Sequence, residues 1–216
     1  DSKNEKGKTK LVRPTQMNNV TNNISIMLGC DNPESCPNPP SQDIVNQIKF
    51  IFNSMSKNNV IDKSKELKNV LKSEDIIKWF SNFFIVNRIS AENNNHAIYN
   101  ELISLIDNKE LNKLLIKDSI YFIKRFLASE NLEKDMKEKN VLKNLGSWLG
   151  IMTLQKNKPI LAKDLDLKEI IFDAYEKGKL SAIINFIVRI LEKITKTKVF
   201  HPKNPWIHAI LSVLAE

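Results

Sequence analysis

The chain has 216 residues, of which 42% are hydrophobic and 27% are charged, and its formal net charge at pH 7 is +8. This balance is typical of a globular protein that is long enough to bury a substantial core. No apolar run approaches the roughly 18 to 20 residues that a membrane-spanning helix needs. We therefore expect no membrane-spanning helix in this sequence and no membrane partner.

The positive charge comes mostly from lysine, because only four of the 33 basic residues are arginines. Lysine is a hydrated point charge, whereas the planar guanidinium group of arginine suits phosphates and base edges. We interpret the charge as a solvated surface with a weak, salt-sensitive attraction for anions. The alternative is a lysine-rich helical-repeat domain that binds RNA directly.

Residues 1–40 show little hydrophobic periodicity and collect Lys, Asn, Ser and Pro. Such a composition is typical of a flexible leader, and we expect its short apolar run, Ile24–Leu28, to dock on the folded part. Cys30 and Cys36 match neither a zinc knuckle nor a redox pair, so we expect ordinary thiols in a reducing compartment. Residues 41–216 form the predicted domain, which we expect to be a fragment of a much longer chain, because it ends inside a helical pattern.

From Ser41 onward, apolar residues recur at spacings of three and four, which predicts amphipathic helices. No strand pattern is present. The predicted helices, in chain order, carry apolar stripes at Ile44–Met55, Leu67–Leu71, Ile76–Phe84, Tyr99–Ile106, Leu111–Leu115, Ile120–Leu127, Leu142–Met152, Leu165–Ile170, Ile183–Ile194 and Ile207–Leu214. These are about ten helices with short connections, and short loops make neighbouring helices antiparallel. The fold class is therefore all-α, and the arrangement we expect is a HEAT-like solenoid of helical hairpins.

Several helix ends are marked in the sequence. Ser73 is a plausible N-cap, and Asp166 with Glu169 forms a capping-box pattern. Gly178 suits a left-handed stop. Asn204 is a candidate N-cap, since Pro205 behind it favours the first helical position.

No catalytic group emerges from the sequence. The three histidines, His96, His201 and His208, stand beside no nucleophile motif, and there is no glycine-rich phosphate loop. His201 and His208 could share one helical face, but no third ligand lies nearby, so we expect no metal. We expect neither an enzyme nor a cofactor.

Two of the five glycines, Gly146 and Gly150, lie four residues apart in the apolar stretch "NLGSWLGIMTLQKNKPIL". Each costs a helix interior about 1 kcal/mol relative to alanine. Such a pair lets a neighbouring helix or a partner approach closely. We expect Trp148 to pack in the core, and Lys156, Asn157 and Lys158 to form an exposed loop.

A second notable stretch is "NRISAENNNHAIYNELI", where Arg88, Asn95, His96 and Tyr99 surround a predicted helix start. Two interpretations remain open. The residues cap a helix beneath a polar loop with Tyr99 in the core, or they form a dense polar and aromatic binding surface.

Several segments together resemble a known family. "KNLGSWLGIMTLQKNKPIL" is followed by "DLDLKEIIFDAYEKG" and "NPWIHAILSVLAE", and preceded by "IVNQIKFIFNSMS" and "RISAENNNHAIY". In this order they are similar to the central domain of the scaffold subunit of the CCR–NOT deadenylation complex. That domain is of the type named after the middle domain of translation initiation factor four-G. The resemblance runs from about Ile44 to Glu216.

The resemblance implies HEAT-type hairpins that dock other proteins and have no activity of their own. The implied partners are a ribonuclease-D-like deadenylase subunit and a DEAD-box RNA helicase, with RNA bound indirectly. It also implies poly(A) shortening, mRNA decay and translational repression in the cytoplasm, in mRNA-processing granules and also in the nucleus. The expected partner-binding residues are Arg88, Asn95, His96, Tyr99, Lys143, Asn144, Lys156, Asn157 and Lys158. The expected structural residues are Gly146, Trp148, Gly150, Asn204, Pro205 and Trp206.

The chain departs from the family pattern in three places. An aromatic residue is usual where this chain has Asn95, Pro-Asn is usual at Asn93–Asn94, and a larger polar residue is expected at Ser147. Because aromatic anchors dominate protein interfaces, we expect Asn95 to weaken the helicase contact.

Overall fold

The structure is a computed structural model that describes residues 38–215. Nine α-helices form in this range. In chain order they are α1 (Gln42–Ser54), α2 (Val60–Val70), α3 (Glu74–Phe84), α4 (His96–Ile106), α5 (Lys109–Ala128), α6 (Met136–Met152), α7 (Leu167–Glu176), α8 (Leu180–Leu191) and α9 (Pro205–Ala215). The predictions for Cys30, Cys36 and the run Ile24–Leu28 lie outside the described residues.

The all-α prediction is confirmed, since residues 38–215 contain no strand. The predicted helices at Leu111–Leu115 and Ile120–Leu127 are instead one helix, α5. The polar residues around Ser119 interrupt the apolar stripe in the sequence, but Ser119 is buried and its hydroxyl donates to the Leu115 carbonyl oxygen at 2.6 Å. A satisfied hydroxyl lets the helix continue. None of the helices in the described part is long and apolar enough to span a bilayer.

The helices form two layers. Consecutive helices alternate between the layers, and helices two places apart in the chain are side-by-side neighbours: α2 contacts α4, α4 contacts α6, and α6 contacts α8. On the other side α3 contacts α5, and α7 contacts α9. Lys124 and Leu127 of α5 also share a shallow groove with Ile170 of α7. This is the stacking of a helical-hairpin solenoid.

The predicted helix ends are confirmed. The side chain of Ser73 accepts a hydrogen bond from the amide of Ile76, and that of Asp166 accepts from two amides of α7. Gly178 has a φ of 66°, the left-handed conformation expected after a helix. The Oδ1 atom of Asn204 accepts from the amide of Trp206 at 3.0 Å, and Pro205 is the first residue of α9.

An aromatic cluster connects the two layers. Phe52 of α1, Phe84 of α3 and Tyr99 of α4 have ring centroids 5.3 to 5.6 Å apart. Trp148 of α6 meets Phe84 edge-on at 5.6 Å and is completely buried. The core position predicted for Trp148 is confirmed. Trp206 packs partly buried against the ring of Phe200 at 6.0 Å, at the other end of the core.

The glycine pair faces a helix of the same chain. A Cβ atom on Gly146 would lie 2.7 Å from the ring of Phe186 and 3.0 Å from the Phe186 carbonyl oxygen. A Cβ atom on Gly150 would lie 2.7 Å from the carbonyl oxygen of Ile190. Both neighbours belong to α8, so the absence of side chains brings the α6 and α8 backbones together. The pair therefore packs against a helix of the same chain and is not available for contact with a partner.

We expect Gly146→Leu and Gly150→Ala to lower the free energy of unfolding by about 1 to 3 kcal/mol each, because the added atoms overpack the contact between α6 and α8. Alanine forms helices better than glycine does, so a loss of stability in Gly150→Ala can be assigned to the steric effect. Urea denaturation followed by circular dichroism measures it. Asn185→Ala on the exposed side of α8 is the control and should change stability little. An unchanged unfolding midpoint for both glycine variants would contradict the close contact.

Candidate functional site

Glu92 is the centre of a polar network between α3 and α4. A π-helical turn, Ile85–Ile89, ends α3, and a short 3₁₀ turn, Asn93–Asn95, precedes α4. The Arg88 guanidinium donates to Glu92 Oε1 at 2.9 Å, and the Asn95 amide donates to Oε2 at 2.9 Å. The Tyr99 hydroxyl also donates to Oε2. One carboxylate thus holds together three of the four predicted residues of this stretch.

Arg88 also links this network to α1. Its second terminal nitrogen donates to Asn53 Oδ1 at 2.9 Å. Its guanidinium carbon lies 5.3 Å from the centroid of the Phe52 ring, which is a cation–π distance. Arg88 therefore has three partners within the chain. Reversing its charge should therefore disturb the fold.

His96 and Asn144 join the same region to α6. The ring of His96 is buried, donates through Nε2 to the Ile89 carbonyl oxygen at 2.9 Å, and meets the Trp148 ring edge-on at 5.6 Å. The amide of Asn144 donates to the Ser90 carbonyl oxygen at 2.7 Å. The turn after α3 is thus fixed to both α4 and α6.

These contacts divide the predicted residues into two groups. His96 is 3% exposed and Tyr99 is 2% exposed, so they support the loop from beneath rather than present it to a partner. Burial, followed by the bond to Glu92, raises the pKa of Tyr99. Asn95 is exposed and borders a groove between the end of α1 and the start of α4. The other lining residues of this groove include Met55, Lys57, Asn94 and Ile98.

The loop after α6 is held by its backbone. Asn157 adopts a left-handed conformation with a φ of 56°, and the Thr153 carbonyl oxygen accepts from the amides of Lys156 and Lys158 at 2.9 Å each. Asn157 and Lys158 are exposed, as predicted, whereas Lys156 is half-buried. Lys143, on α6, is also half-buried. Asn144 lies in the middle of α6 and Lys156 lies in the turn that follows it, so α6 connects the region around Arg88 with this loop.

The sequence interpretation missed Glu92. Its spacing of four from Arg88 is the helical ion-pair spacing, and that signal was available. The side-chain contact from Asn157 to the segment after α8 had no such signal, because it joins residues about forty positions apart: Asn157 Oδ1 accepts from the amides of Lys198 and Val199 at 3.3 Å.

The described residues bring together no three metal-ligating side chains. His201 accepts at Nδ1 from the amide of Lys203 at 3.2 Å, and His208 lies 3.4 Å from the Ser212 hydroxyl. The geometry therefore offers a rigid polar loop, a lysine loop and a groove, which are features of a binding surface.

We expect Glu92→Gln to lower the free energy of unfolding by about 1 to 3 kcal/mol, because it leaves the half-buried Arg88 without its charged acceptor. Glu101→Gln, on the exposed side of α4, is the matched control and should be nearly neutral. Thermal and urea denaturation measure both. Equal stability of the two variants would show that the network contributes little.

We expect the stability to depend on pH through His96. Burial lowers the pKa of His96 from 6.5 to about 4, and its Nδ1 atom is buried without a hydrogen-bond partner among the described residues. Between these two values the unfolded chain binds more protons, so this contribution is fully present above pH 6.5 and is lost as pH falls toward 4.

The measurement is the unfolding free energy across this pH range for the wild type and for His96→Phe. The unfolding free energy of the wild type minus that of His96→Phe should rise with pH. The carboxylates titrate equally in both proteins, so their contribution cancels in this difference. Parallel curves would mean that His96 titrates normally in the fold.

The sequence of this chain also matches known proteins. The family model of the CCR4-NOT transcription complex subunit 1 CAF1-binding domain matches residues 37–216. CCR4-NOT transcription complex subunit let-711 of Caenorhabditis elegans is 35% identical over 184 residues, which cover 82% of this chain and 7% of that protein. General negative regulator of transcription subunit 1 is 30% identical in Schizosaccharomyces pombe and 31% in Saccharomyces cerevisiae, over 81% of this chain and 8% of each relative.

This chain thus spans less than a tenth of the length of these relatives. The family match, in contrast, includes all nine helices of the described part. The chain belongs to the family of CAF1-binding domains of CCR4-NOT transcription complex subunit 1.

Proposed function

We propose that this domain is a non-catalytic scaffold that docks the ribonuclease-D-like deadenylase subunit of the CCR4-NOT complex. The observation that carries the proposal is the match of a CAF1-binding family to residues 37–216, which include every described helix. A match that includes every described helix supports the proposal that this chain keeps the deadenylase-docking surface of its family. The domain contributes binding, and the deadenylase contributes the chemistry.

A DEAD-box RNA helicase is the second proposed partner. It docks on the layer that contains α4 and α6 and is stimulated there when its two lobes are held near a productive arrangement. Through these two partners the domain supports poly(A) shortening, mRNA decay and translational repression. Its place is the cytoplasm, including mRNA-processing granules, and also the nucleus. RNA reaches the domain indirectly, through the proteins that it holds.

The mechanism is recruitment by mass action. The close contact of α6 with α8 and the network around Glu92 make the platform stiff. A stiff platform keeps two partners at a fixed separation, so binding of the second becomes effectively intramolecular. Nuclease and helicase then meet the same messenger RNA at a raised local concentration.

Large exposed hydrophobic residues support docking of proteins. Met136 is 66% exposed, and Phe172 and Tyr175 on α7 are 52% and 75% exposed. Phe172 and Tyr175 are three residues apart and therefore lie on one side of the helix. Aromatic residues and methionine are enriched in protein interfaces.

Direct RNA binding is the second candidate, favoured by the net charge of +8. The salt dependence of binding distinguishes direct RNA binding from protein docking. A domain that neutralises several phosphates loses affinity steeply as ionic strength rises. A protein interface with a desolvated core is far less sensitive. Affinity for oligoadenylate and for the two protein subunits, measured from low to high salt, separates the candidates.

We expect Lys156→Glu/Lys158→Glu to weaken helicase binding about tenfold, because charge reversal opposes electrostatic complementarity at the loop. Deadenylase binding should stay within about twofold if it uses another face. Pull-down with each purified subunit measures both, and circular dichroism verifies the fold.

The control is Lys68→Glu/Lys134→Glu, which reverses two exposed lysines far from this loop in sequence. Unchanged helicase binding by the Lys156 and Lys158 variant would remove the loop from the site. An equal loss in the control would assign the effect to net charge alone.

A further inference from the structure

Two segments distant in sequence meet at the end of α6. The 3₁₀ turn Leu154–Lys156 contacts a second 3₁₀ turn, Glu192–Lys196, which follows α8. Asn157 fastens them together, because its Oδ1 atom accepts from the amides of Lys198 and Val199 at 3.3 Å each. The loop and the segment after α8 therefore form one surface.

This surface concentrates lysines. Lys156 and Lys158 come from the loop, and Lys193 and Lys198 come from the segment after α8; we call these four residues the lysine surface. The Cγ atom of Lys193 lies 2.8 Å from the position of a Cβ atom on Gly150, which places it against the end of α6. Within residues 38–215 none of the four ammonium groups has an ion-pair partner.

The carboxylate nearest to Lys193 in sequence already has an ion-pair partner. Glu192 accepts from Arg189 at 3.0 Å, one turn earlier on α8. It therefore does not neutralise Lys193. The lysine surface keeps a net positive charge that the described part of the chain does not balance.

Lys156 shows that the positive charge is incompletely solvated. Its side chain is half-buried, and its Nζ atom lies 3.6 Å from the Met152 sulfur, which is a weak acceptor. Burial, followed by the nearby charge of Lys158, lowers its pKa. Buried charges in proteins are normally paired with an opposite charge. A carboxylate brought by another molecule would supply the acceptor that Lys156 lacks.

The apolar residues beside the lysines indicate which kind of anion fits. Leu161, three residues after Lys158, is 45% exposed, and Val199, next to Lys198 in sequence, is 49% exposed; both are aliphatic. Proteins that hold single-stranded nucleic acid stack its bases on aromatic side chains. Aliphatic residues beside lysines instead suit a peptide in which acidic and apolar residues alternate.

We propose that the lysine surface docks an acidic segment of a protein partner, with its carboxylates on the four lysines and its aliphatic side chains against Leu161 and Val199. The proposal rests on the proposed scaffold function only for the claim that the natural occupant is a protein of the complex. It adds Lys193 and Lys198 to the predicted loop and specifies the chemistry of the partner.

Fluorescence anisotropy with the 216-residue chain tests the proposal directly. The probes are a labelled peptide of alternating glutamate and leucine, the same peptide with glutamine for glutamate, and a labelled oligouridylate. We expect only the glutamate peptide to bind well. The variant Lys158→Glu/Lys198→Glu changes two exposed side chains and should weaken that binding about tenfold. Lys68→Glu/Lys134→Glu is the matched control and should retain it.

Two outcomes would overturn the proposal. Tighter binding of the oligouridylate, lost in the Lys158 and Lys198 variant, would make the surface an RNA site. Equal losses of peptide binding in the variant and the control would show nonspecific electrostatic attraction rather than binding at one site.

Pull-down of the deadenylase and helicase subunits by the wild type distinguishes a failure of the lysine-surface proposal from a failure of the proposed scaffold function. If both subunits bind but the glutamate peptide does not, only the lysine surface fails. If neither subunit binds while the peptide does, only the scaffold function fails.

Discussion

The contact between α6 and α8 is the constraint on which the rest of this structure depends. Because Gly146 and Gly150 have no side chains, the ring and carbonyl oxygen of Phe186 and the carbonyl oxygen of Ile190 occupy the space where Cβ atoms would be. The same approach brings the turn after α6 against the turn after α8. The loss of helix propensity at two positions is thus offset by packing. The packing also creates a surface that neither helix could form alone.

The middle of α6 is also fixed to the turn that follows α3. Asn144 holds the Ser90 carbonyl oxygen, Trp148 packs against His96, and Glu92 gathers Arg88, Asn95 and Tyr99. Three donors satisfy the Glu92 carboxylate, which favours one conformation of the turn between α3 and α4. The polar loop and the lysine loop are thus both fixed to α6, the first at the middle of the helix and the second after its C-terminal end, which suits a platform that holds partners at a fixed separation.

Sequence periodicity predicted the fold class and the helix ends because those depend on local patterns. Ser73, Asp166, Gly178 and Asn204 act within one helical turn of their own positions. The sequence divided α5 in two because it could not show that a buried Ser119 bonds to its own helix. Burial of His96 and Tyr99, and the bond from Asn157 to the segment after α8, depend on distant neighbours. Spacing along the chain therefore identified candidate polar residues but not which of them face solvent.

The central claim is that one rigid helical stack holds the deadenylase and the helicase at the same time. Size-exclusion chromatography with multi-angle light scattering tests it most directly, with the chain mixed with both purified subunits at moderate salt. The account predicts a single species whose mass is the sum of one copy of each protein. Two separate binary complexes, with each partner displacing the other, would contradict it.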